Sequence, residues 1–224
     1  MIDDGGPWKC ELLRVCQEML DCYAKPDVFP GAGLDDETQQ VFLVERAAFL
    51  TAFTVRKLSE AGKVSVQFLS RSIPYVRHRI VRANRAPTKH NQHRVFDFYE
   101  GVGVESRMSY QDFANMLIHS ATFTPIEDER EGEVSPRAFA VTSDRTRFEF
   151  LSVFEATDLV RYVRDLADDA VVAVRTFRDG KGSYVEVGSN RHLSDEEFEE
   201  YFRQGDRKEA KNRILLSVFA RGRA

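Results

Sequence analysis

The chain has 224 residues, of which 42% are hydrophobic and 30% charged, and its formal net charge is −4. This composition is ordinary for a globular protein with one large or two small domains. It contains neither a run of eighteen apolar residues nor a charged-then-apolar leader, so we expect no membrane span and no signal peptide.

The three cysteines, Cys10, Cys16 and Cys22, are spaced six residues apart in the first predicted helix. Each step of six rotates the side chain by about 120° around a helix, a spacing that suits neither a metal site nor a disulfide framework. We therefore expect a reduced, cytoplasmic protein without a metal.

The first half of the chain is predicted to be mainly helical. Trp8 to Ala24 is amphipathic, and a loop rich in proline and glycine separates it from a long central helix over residues 35–62. A further helix is predicted over residues 73–85, where Pro74 suits the first turn and Pro87 follows the end. Val95 to Tyr99 alternates in hydrophobicity as a strand does.

The central helix is expected to be covered on two sides. Its first apolar face recurs at three- and four-residue steps, and a second face carries three phenylalanines. The first face comprises Val41, Val44, Ala48, Val55 and Leu58, and the second comprises Phe42, Phe49 and Phe53.

Glu45 and Arg56 are eleven positions apart on this helix, almost three whole turns, and therefore point the same way. The small residues Ala48, Ala52 and Ser59 lie along the same stripe. The stripe is either a narrow helix–helix contact with ion pairs at its ends or a polar crevice with a charge at each end.

The second half changes from helical to twofold periodicity. Ser109 is predicted to cap a helix that ends near Ser120, and the acidic stretch 127–133 is predicted to be an exposed loop. The other predicted elements are strands over 123–126, 137–142, 148–153, 170–177 and 183–187, and helices over 155–168, 194–202 and 206–220.

Helices followed by strands indicate an α+β fold, with an N-terminal helical bundle around the central helix and then a mostly antiparallel sheet with helices. A boundary near residue 120 would divide the chain into a helical region, 1–120, and an α+β region, 121–224, unless the two form one continuous domain.

Asn115 and His119 form one candidate site, because residues four apart on a helix share a face. A histidine with a near-neutral pKa can act as a general acid or base. The alternative is a core histidine held by Asn115 or by a backbone carbonyl.

The seven residues from Ala114 to Ser120 resemble the helical motif of the HEPN family of small ribonucleases, which reads arginine, a polar residue that is often asparagine, variable positions and then histidine. The resemblance implies metal-independent RNA cleavage, commonly at a dimer interface, in toxins and antiphage systems. Asn115 and His119 match the motif, whereas the arginine of the family falls on Ala114. An active site would therefore need another cation, for which Arg56 is the candidate.

A basic segment forms the third feature. Between Arg71 and Arg94 there are seven lysines or arginines and no acidic residue, while the rest of the chain has 25 basic and 36 acidic residues. Such a segment is either a solvated surface or a phosphate-binding patch without sequence preference. The candidate phosphate-binding residues are Arg71, Arg77, Arg79, Arg82, Arg85, Lys89 and Arg94.

Together these features predict a nucleic-acid-binding protein with a metal-independent ribonuclease site formed by Arg56, Asn115, His119 and Glu45. The alternative is a non-enzymatic module that binds a protein partner or regulates one. No motif indicates a cofactor, and the expected partners are nucleic acid, a second copy of the chain or another protein.

Overall fold

The computed structural model describes residues 4–24, 36–82, 85–88, 90–97, 103–130, 133–178, 184–192, 194 and 196. No helix within these ranges is long and apolar enough to cross a membrane. The helices are α1 (Gly6–Ala24), α2 (Asp36–Glu60), α3 (Val66–Ser70), α4 (Gln92–Val95), α5 (Tyr110–Ile118) and α6 (Ala156–Ala167). The strands are β1 (Ser72–Arg79), β2 (Val104–Ser109), β3 (Ser120–Arg130), β4 (Glu133–Ser143), β5 (Phe150–Glu155), β6 (Ala173–Arg178) and β7 (Tyr184–Ser189).

The main element is a five-stranded sheet with the order β2-β1-β5-β4-β3, in which all neighbours are antiparallel. Strands β1 and β2 precede residue 120 in the chain and share this sheet with β3, β4 and β5, which follow it. The predicted α+β class, with helices first and an antiparallel sheet after them, is confirmed.

One face of the sheet carries a row of aromatic rings, one from each of four adjacent strands. Tyr75 of β1 stacks on Phe154 of β5, Phe154 on Phe139 of β4, and Phe139 on Phe123 of β3, with ring centroids 5.3 to 5.5 Å apart. Phe113 of α5 lies 4.9 Å from the Phe154 ring and closes the layer from the helical side. The rings therefore hold the strands in register and anchor the helices on this face.

The central helix α2 buries one face and exposes the other. The residues of its first predicted face are buried or half-buried, with Val44, Ala48, Val55 and Leu58 almost fully enclosed. The expectation of a second covered face is wrong, because the side chains of Phe42, Phe49 and Phe53 are 39–51% exposed. Helices α1 and α5 and strand β3 pack against α2. The Phe49 ring contacts Phe123 of β3, whereas Phe42 and Phe53 are each 51% exposed.

Two predicted helices of the second half are confirmed. Ser109 caps α5, because its hydroxyl accepts a hydrogen bond from the Asp112 N–H at 3.0 Å. Helix α6 spans Ala156–Ala167 within the predicted 155–168, and Leu159, Val163 and Leu166 are buried on its inner side.

The predicted helix over 73–85 is wrong, since residues 72–79 form strand β1 in the interior of the sheet. Ile73 and Tyr75 point into the core, and from Val76 onward the strand pairs with β5. The apolar residues of this segment occur at spacings that fit either period, and most are β-branched or aromatic. Pairing with β2 and β5 therefore decides the structure, and Pro74 lies before the stretch that pairs with β5.

Three other segments also differ from the predictions, two in the type of element and one in its first residue. Residues 92–95 are the short helix α4, and Phe96 makes only a single bridge to Ile80, so the predicted strand over 95–99 is wrong for its described residues. The described residues of the acidic stretch 127–133 are strand rather than loop, because Glu127–Arg130 pairs with Glu133–Pro136 in continuation of the β3–β4 ladder. The strand predicted from Phe148 starts at Phe150.

Strands β6 and β7, which correspond to the strands predicted over 170–177 and 183–187, pair antiparallel, and β7 contacts α3. The Ser65 N–H and hydroxyl both donate to the buried Asp169 carboxylate, at 2.7 and 2.5 Å. Ser65 also bridges Gly188 of β7, where a Cβ would lie 2.7 Å from the Gly62 carbonyl oxygen. The two helices predicted over 194–202 and 206–220 fall outside the described residues, apart from positions 194 and 196.

Candidate nucleic-acid interface

One end of the five-stranded sheet collects basic residues that are far apart in the chain. Arg79, the last residue of β1, pairs with Phe150, the first residue of β5, and Ser143 at the end of β4 pairs with Ser120 at the start of β3. In an antiparallel sheet these positions lie at the same end. We call this region the basic end of the sheet; it comprises Arg77, Arg79, Arg82, Arg85, Arg94, His119 and residues 144–149.

The turn from 144 to 149 joins β4 to β5 at the centre of this end. The Asp144 N–H donates to the carbonyl oxygen of His119 at 3.0 Å, and the Ile80 N–H donates to the carbonyl oxygen of Glu149 at 3.3 Å. The turn therefore contacts both the start of β3 and the end of β1. Arg145 in this turn is exposed, and the Arg147 guanidinium lies 5.0 Å from the centroid of the Phe148 ring.

The two arginines of β1 make different contacts. Arg77 is half-buried, with its guanidinium over the Phe150 ring at 5.4 Å. Arg79 donates from Nε to the Asp97 carboxylate at 3.1 Å, although 83% of its side chain is exposed. Cation–π contact and a screened ion pair leave both guanidinium groups able to meet an anion at this end.

Arg82, Arg85 and Arg94 are exposed, and among the described residues none of the three forms an ion pair. The N–H groups of Val81 and Arg82 both donate to the carbonyl oxygen of Val95, at 2.8 and 3.2 Å. This bonding holds Arg82 close to Arg94 in space, although twelve residues separate them.

The remaining predicted phosphate-binding residues are Arg71 and Lys89. Arg71 precedes β1 at the opposite end of the sheet and pairs with Asp165 at 3.0 Å. Lys89 lies outside the described residues.

His119 lies beside the turn and faces solvent. It is the C-cap of α5, its backbone N–H donates to the Asn115 carbonyl oxygen at 3.0 Å, and its side chain is exposed. The alternative of a core histidine is therefore wrong. Asn115 is half-buried one helical turn earlier.

Arg56 is not brought to His119 by any described hydrogen bond or ion pair. Its Nε donates to Glu60 at 3.0 Å. The Phe49 ring contacts the Phe123 ring near the start of β3, and Arg56 lies seven residues farther along α2, a rise of about 10 Å. Arg145, by contrast, belongs to the turn in which the Asp144 N–H donates to the His119 carbonyl oxygen.

The small residues between Glu45 and Arg56 form a packed contact rather than a crevice. Ala48 and Ala52 are fully enclosed and Ser59 is buried, while Glu45 is half-buried. An ion pair between Arg46 and Glu18 at 3.1 Å joins α2 to α1 beside this contact. Of the two alternatives for this stripe, burial supports the packed contact, although Arg46 rather than Arg56 forms the ion pair to another helix and Arg56 pairs with Glu60 of α2.

Sequence reasoning missed the turn residues Arg145, Arg147 and Phe148. Their signal is present in the segment Asp144–Phe148, where two arginines alternate with polar and aromatic residues. Phe148 is also the first residue of the predicted strand over 148–153, so the alternation of arginines with polar and aromatic residues does not stand out as a separate turn.

The basic end has a clear positive surplus. Among the described residues, seven arginines lie there, from positions 77, 79, 82, 85, 94, 145 and 147, against four acidic residues, Asp97, Glu105, Asp144 and Glu149. A local surplus of cations on a chain with a net charge of −4 concentrates the positive potential on one surface.

Comparison of the chain with protein-family models, with curated proteins and with solved structures found no match in any of the three. The functional conclusions below therefore depend on the geometry and charge of the chain alone.

Proposed function

We propose that the protein binds nucleic acid through the basic end of the sheet. The observation that carries the proposal is the convergence of exposed arginines from the end of β1, the segment around α4 and the 144–149 turn. Arg82, Arg85, Arg94 and Arg145 are exposed and have no carboxylate partner among the described residues. Guanidinium groups of this kind bind phosphates and release condensed counterions.

The salt dependence of binding tests this proposal. If the four exposed arginines each neutralise one phosphate of a single strand, the logarithm of the association constant should fall with the logarithm of salt concentration with a slope of about −3. The double variant Arg82→Ala/Arg94→Ala should reduce the slope to roughly −1.4. Fluorescence anisotropy of a labelled oligonucleotide measures both slopes.

A matched control separates local contact from total charge. Arg14→Ala/Arg164→Ala removes the same two positive charges from exposed positions on α1 and α6. We expect this control to bind with the slope of the wild type. No binding at low salt, or an equal loss in both double variants, would contradict the proposal.

The position of His119 supports a catalytic extension of this proposal, namely metal-independent cleavage of RNA. In that reaction the ribose 2′-hydroxyl gives its proton to the His119 imidazole while its oxygen attacks the adjacent phosphorus. The bond from phosphorus to the 5′-oxygen then breaks and that oxygen takes a proton from water, giving a 2′,3′-cyclic phosphate and a 5′-hydroxyl. We assign the role of the cation to Arg145 rather than Arg56, because the turn that contains Arg145 is hydrogen-bonded to the His119 backbone.

Cleavage of RNA in the presence of EDTA tests this extension. His119→Ala should abolish cleavage and change the free energy of unfolding by no more than about 0.5 kcal/mol, because the side chain is exposed. His192→Ala, which removes another exposed histidine, should cleave as the wild type does. Equal cleavage by both variants would remove His119 from the mechanism and leave the binding proposal standing.

The exposed phenylalanines of α2 favour a second candidate function, a protein-interaction module. Phe42 and Phe53 are each 51% exposed, and with Phe49 they form one stripe on the helix. The nucleic acid carried by the purified protein, measured as the ratio of absorbance at 260 and 280 nm, distinguishes the two functions. A ratio typical of protein alone, together with no binding at low salt, would favour the interaction module.

A further inference from the structure

Phe148 is an exposed aromatic side chain in the middle of the basic end. Its side chain is 50% exposed, and it follows two arginines of the same turn, Arg145 and Arg147. One side of its ring is occupied by the Arg147 guanidinium at 5.0 Å.

The fold of the turn does not depend on Phe148. The Ser143 N–H donates to the Thr146 hydroxyl at 3.1 Å, the Thr146 N–H donates to the Ser143 hydroxyl at 3.2 Å, and the Glu149 N–H donates to the Thr146 carbonyl oxygen at 2.8 Å. These reciprocal bonds close the turn through polar groups. An apolar ring of this size therefore gains little from its position within the fold itself.

An exposed ring with arginines in the same turn can bind an unpaired base and its phosphates. The π-face of any base stacks on an aromatic side chain, and the arginines beside it meet the phosphates before and after that base. In a duplex the bases stack on one another and their faces are covered, so an exposed phenylalanine at a turn distinguishes single strands from duplexes.

We propose that the ligand is single-stranded nucleic acid, one base of which stacks on Phe148 while the flanking phosphates contact the arginines of the basic end. This inference rests on the proposed nucleic-acid binding and adds its substrate class. RNA and DNA share the chemistry used here, and parallel titrations with the two backbones distinguish them.

The test compares one sequence of about 12 nucleotides as a single strand and as a duplex, by anisotropy at fixed salt. Phe148→Ala should bind the single strand roughly 5- to 150-fold more weakly than the wild type and the duplex as well as the wild type does. Phe148→Trp should retain the single-strand affinity, and Phe148→Leu, which keeps an apolar side chain, should lose it. Phe53→Ala is the matched control, because Phe53 is as exposed as Phe148 but lies on α2.

An oligonucleotide of abasic sites provides a second measurement, in which the bases are removed from the ligand. It keeps every phosphate and lacks the bases, so wild type and Phe148→Ala should bind it equally.

Unchanged single-strand affinity in Phe148→Ala, with a normal salt slope, would overturn the stacking inference and leave the proposed function intact. If the protein binds none of the three probes at low salt, namely the single strand, the duplex and the abasic oligonucleotide, both the stacking inference and the proposed function are overturned.

Discussion

Replacing Gly103 by alanine tests how closely this residue, which directly precedes β2, packs against β1. A Cβ on this residue would lie 2.1 Å from Val76 Cγ1 and 3.0 Å from His78 Nε2, whereas ordinary contacts begin at 3.4 Å. Valine has one preferred χ1 rotamer in most settings, so Val76 cannot move away at little cost. His78 is also constrained, because it is buried and its Nδ1 lies 3.3 Å from the Asp97 carbonyl oxygen.

The expected loss for Gly103→Ala is about 2 kcal/mol of unfolding free energy, in the middle of the range for overpacked sites. For a chain of this size the midpoint of thermal unfolding should fall by roughly 4–8 °C. Chemical denaturation monitored by circular dichroism measures the free energy. Gly6→Ala is the control, because its nearest neighbour is the side chain of Asp4, an exposed residue.

A double-mutant cycle identifies the atom responsible. Val76→Ala removes Cγ1, so Gly103→Ala should cost at least about 1 kcal/mol less in that background than in the wild type. A loss below about 0.5 kcal/mol for the single variant, or the same loss in both backgrounds, would refute the packing described for this site.

Two further predictions concern other buried polar groups. Asp169→Ala should lower the free energy of unfolding by about 3 kcal/mol in a denaturant titration, because it leaves the buried Ser65 N–H without its acceptor and removes the hydrogen bond from the Ser65 hydroxyl. Asp168→Ala, at the exposed neighbouring position, is the control and should lower it by no more than about 0.5 kcal/mol. Burial and the hydrogen bond that Tyr110 donates to Asp165 raise the pKa of Tyr110 to about 12, above the value of about 10 in an unfolded chain. The unfolded chain therefore loses this proton first as pH rises. The free energy of unfolding should decline between about pH 10 and 12 more steeply in the wild type than in Tyr110→Phe. Parallel curves of unfolding free energy against pH for the two proteins would contradict the raised pKa of Tyr110.

Much of the secondary structure is predictable from local sequence. The helices α1, α2, α5 and α6 have apolar residues at helical spacing, and the hairpin strands β3, β4, β6 and β7 have twofold periodicity or turn residues between them. These signals lie within single segments, and no pairing with a distant part of the chain is needed to interpret them. The buried face of α2 is of this kind.

Strand β1 could not be identified in this way. Ile73, Val76 and Ile80 are spaced at three and four residues, as on a helix. Yet Ile73 and Val76 belong to β1, which pairs with β2 and β5, and Ile80 just beyond its end bridges Phe96. The intrinsic difference between helix and strand for such residues is small, whereas pairing with β2 and β5 contributes a ladder of hydrogen bonds and cross-strand contacts. Tertiary pairing therefore overrides the local pattern here.

The sequence by itself determined the α+β class, the long central helix and a segment of high positive charge, because each follows from composition or periodicity within one stretch of chain. Only the tertiary structure brought His119, the 144–149 turn and the end of β1 to one end of the sheet, and only it separated Arg71 from them. The physical reason is that the antiparallel register decides which strand ends meet. That register is set by side-chain packing between segments, above all by the rings of Tyr75, Phe154, Phe139 and Phe123, and no single segment encodes it.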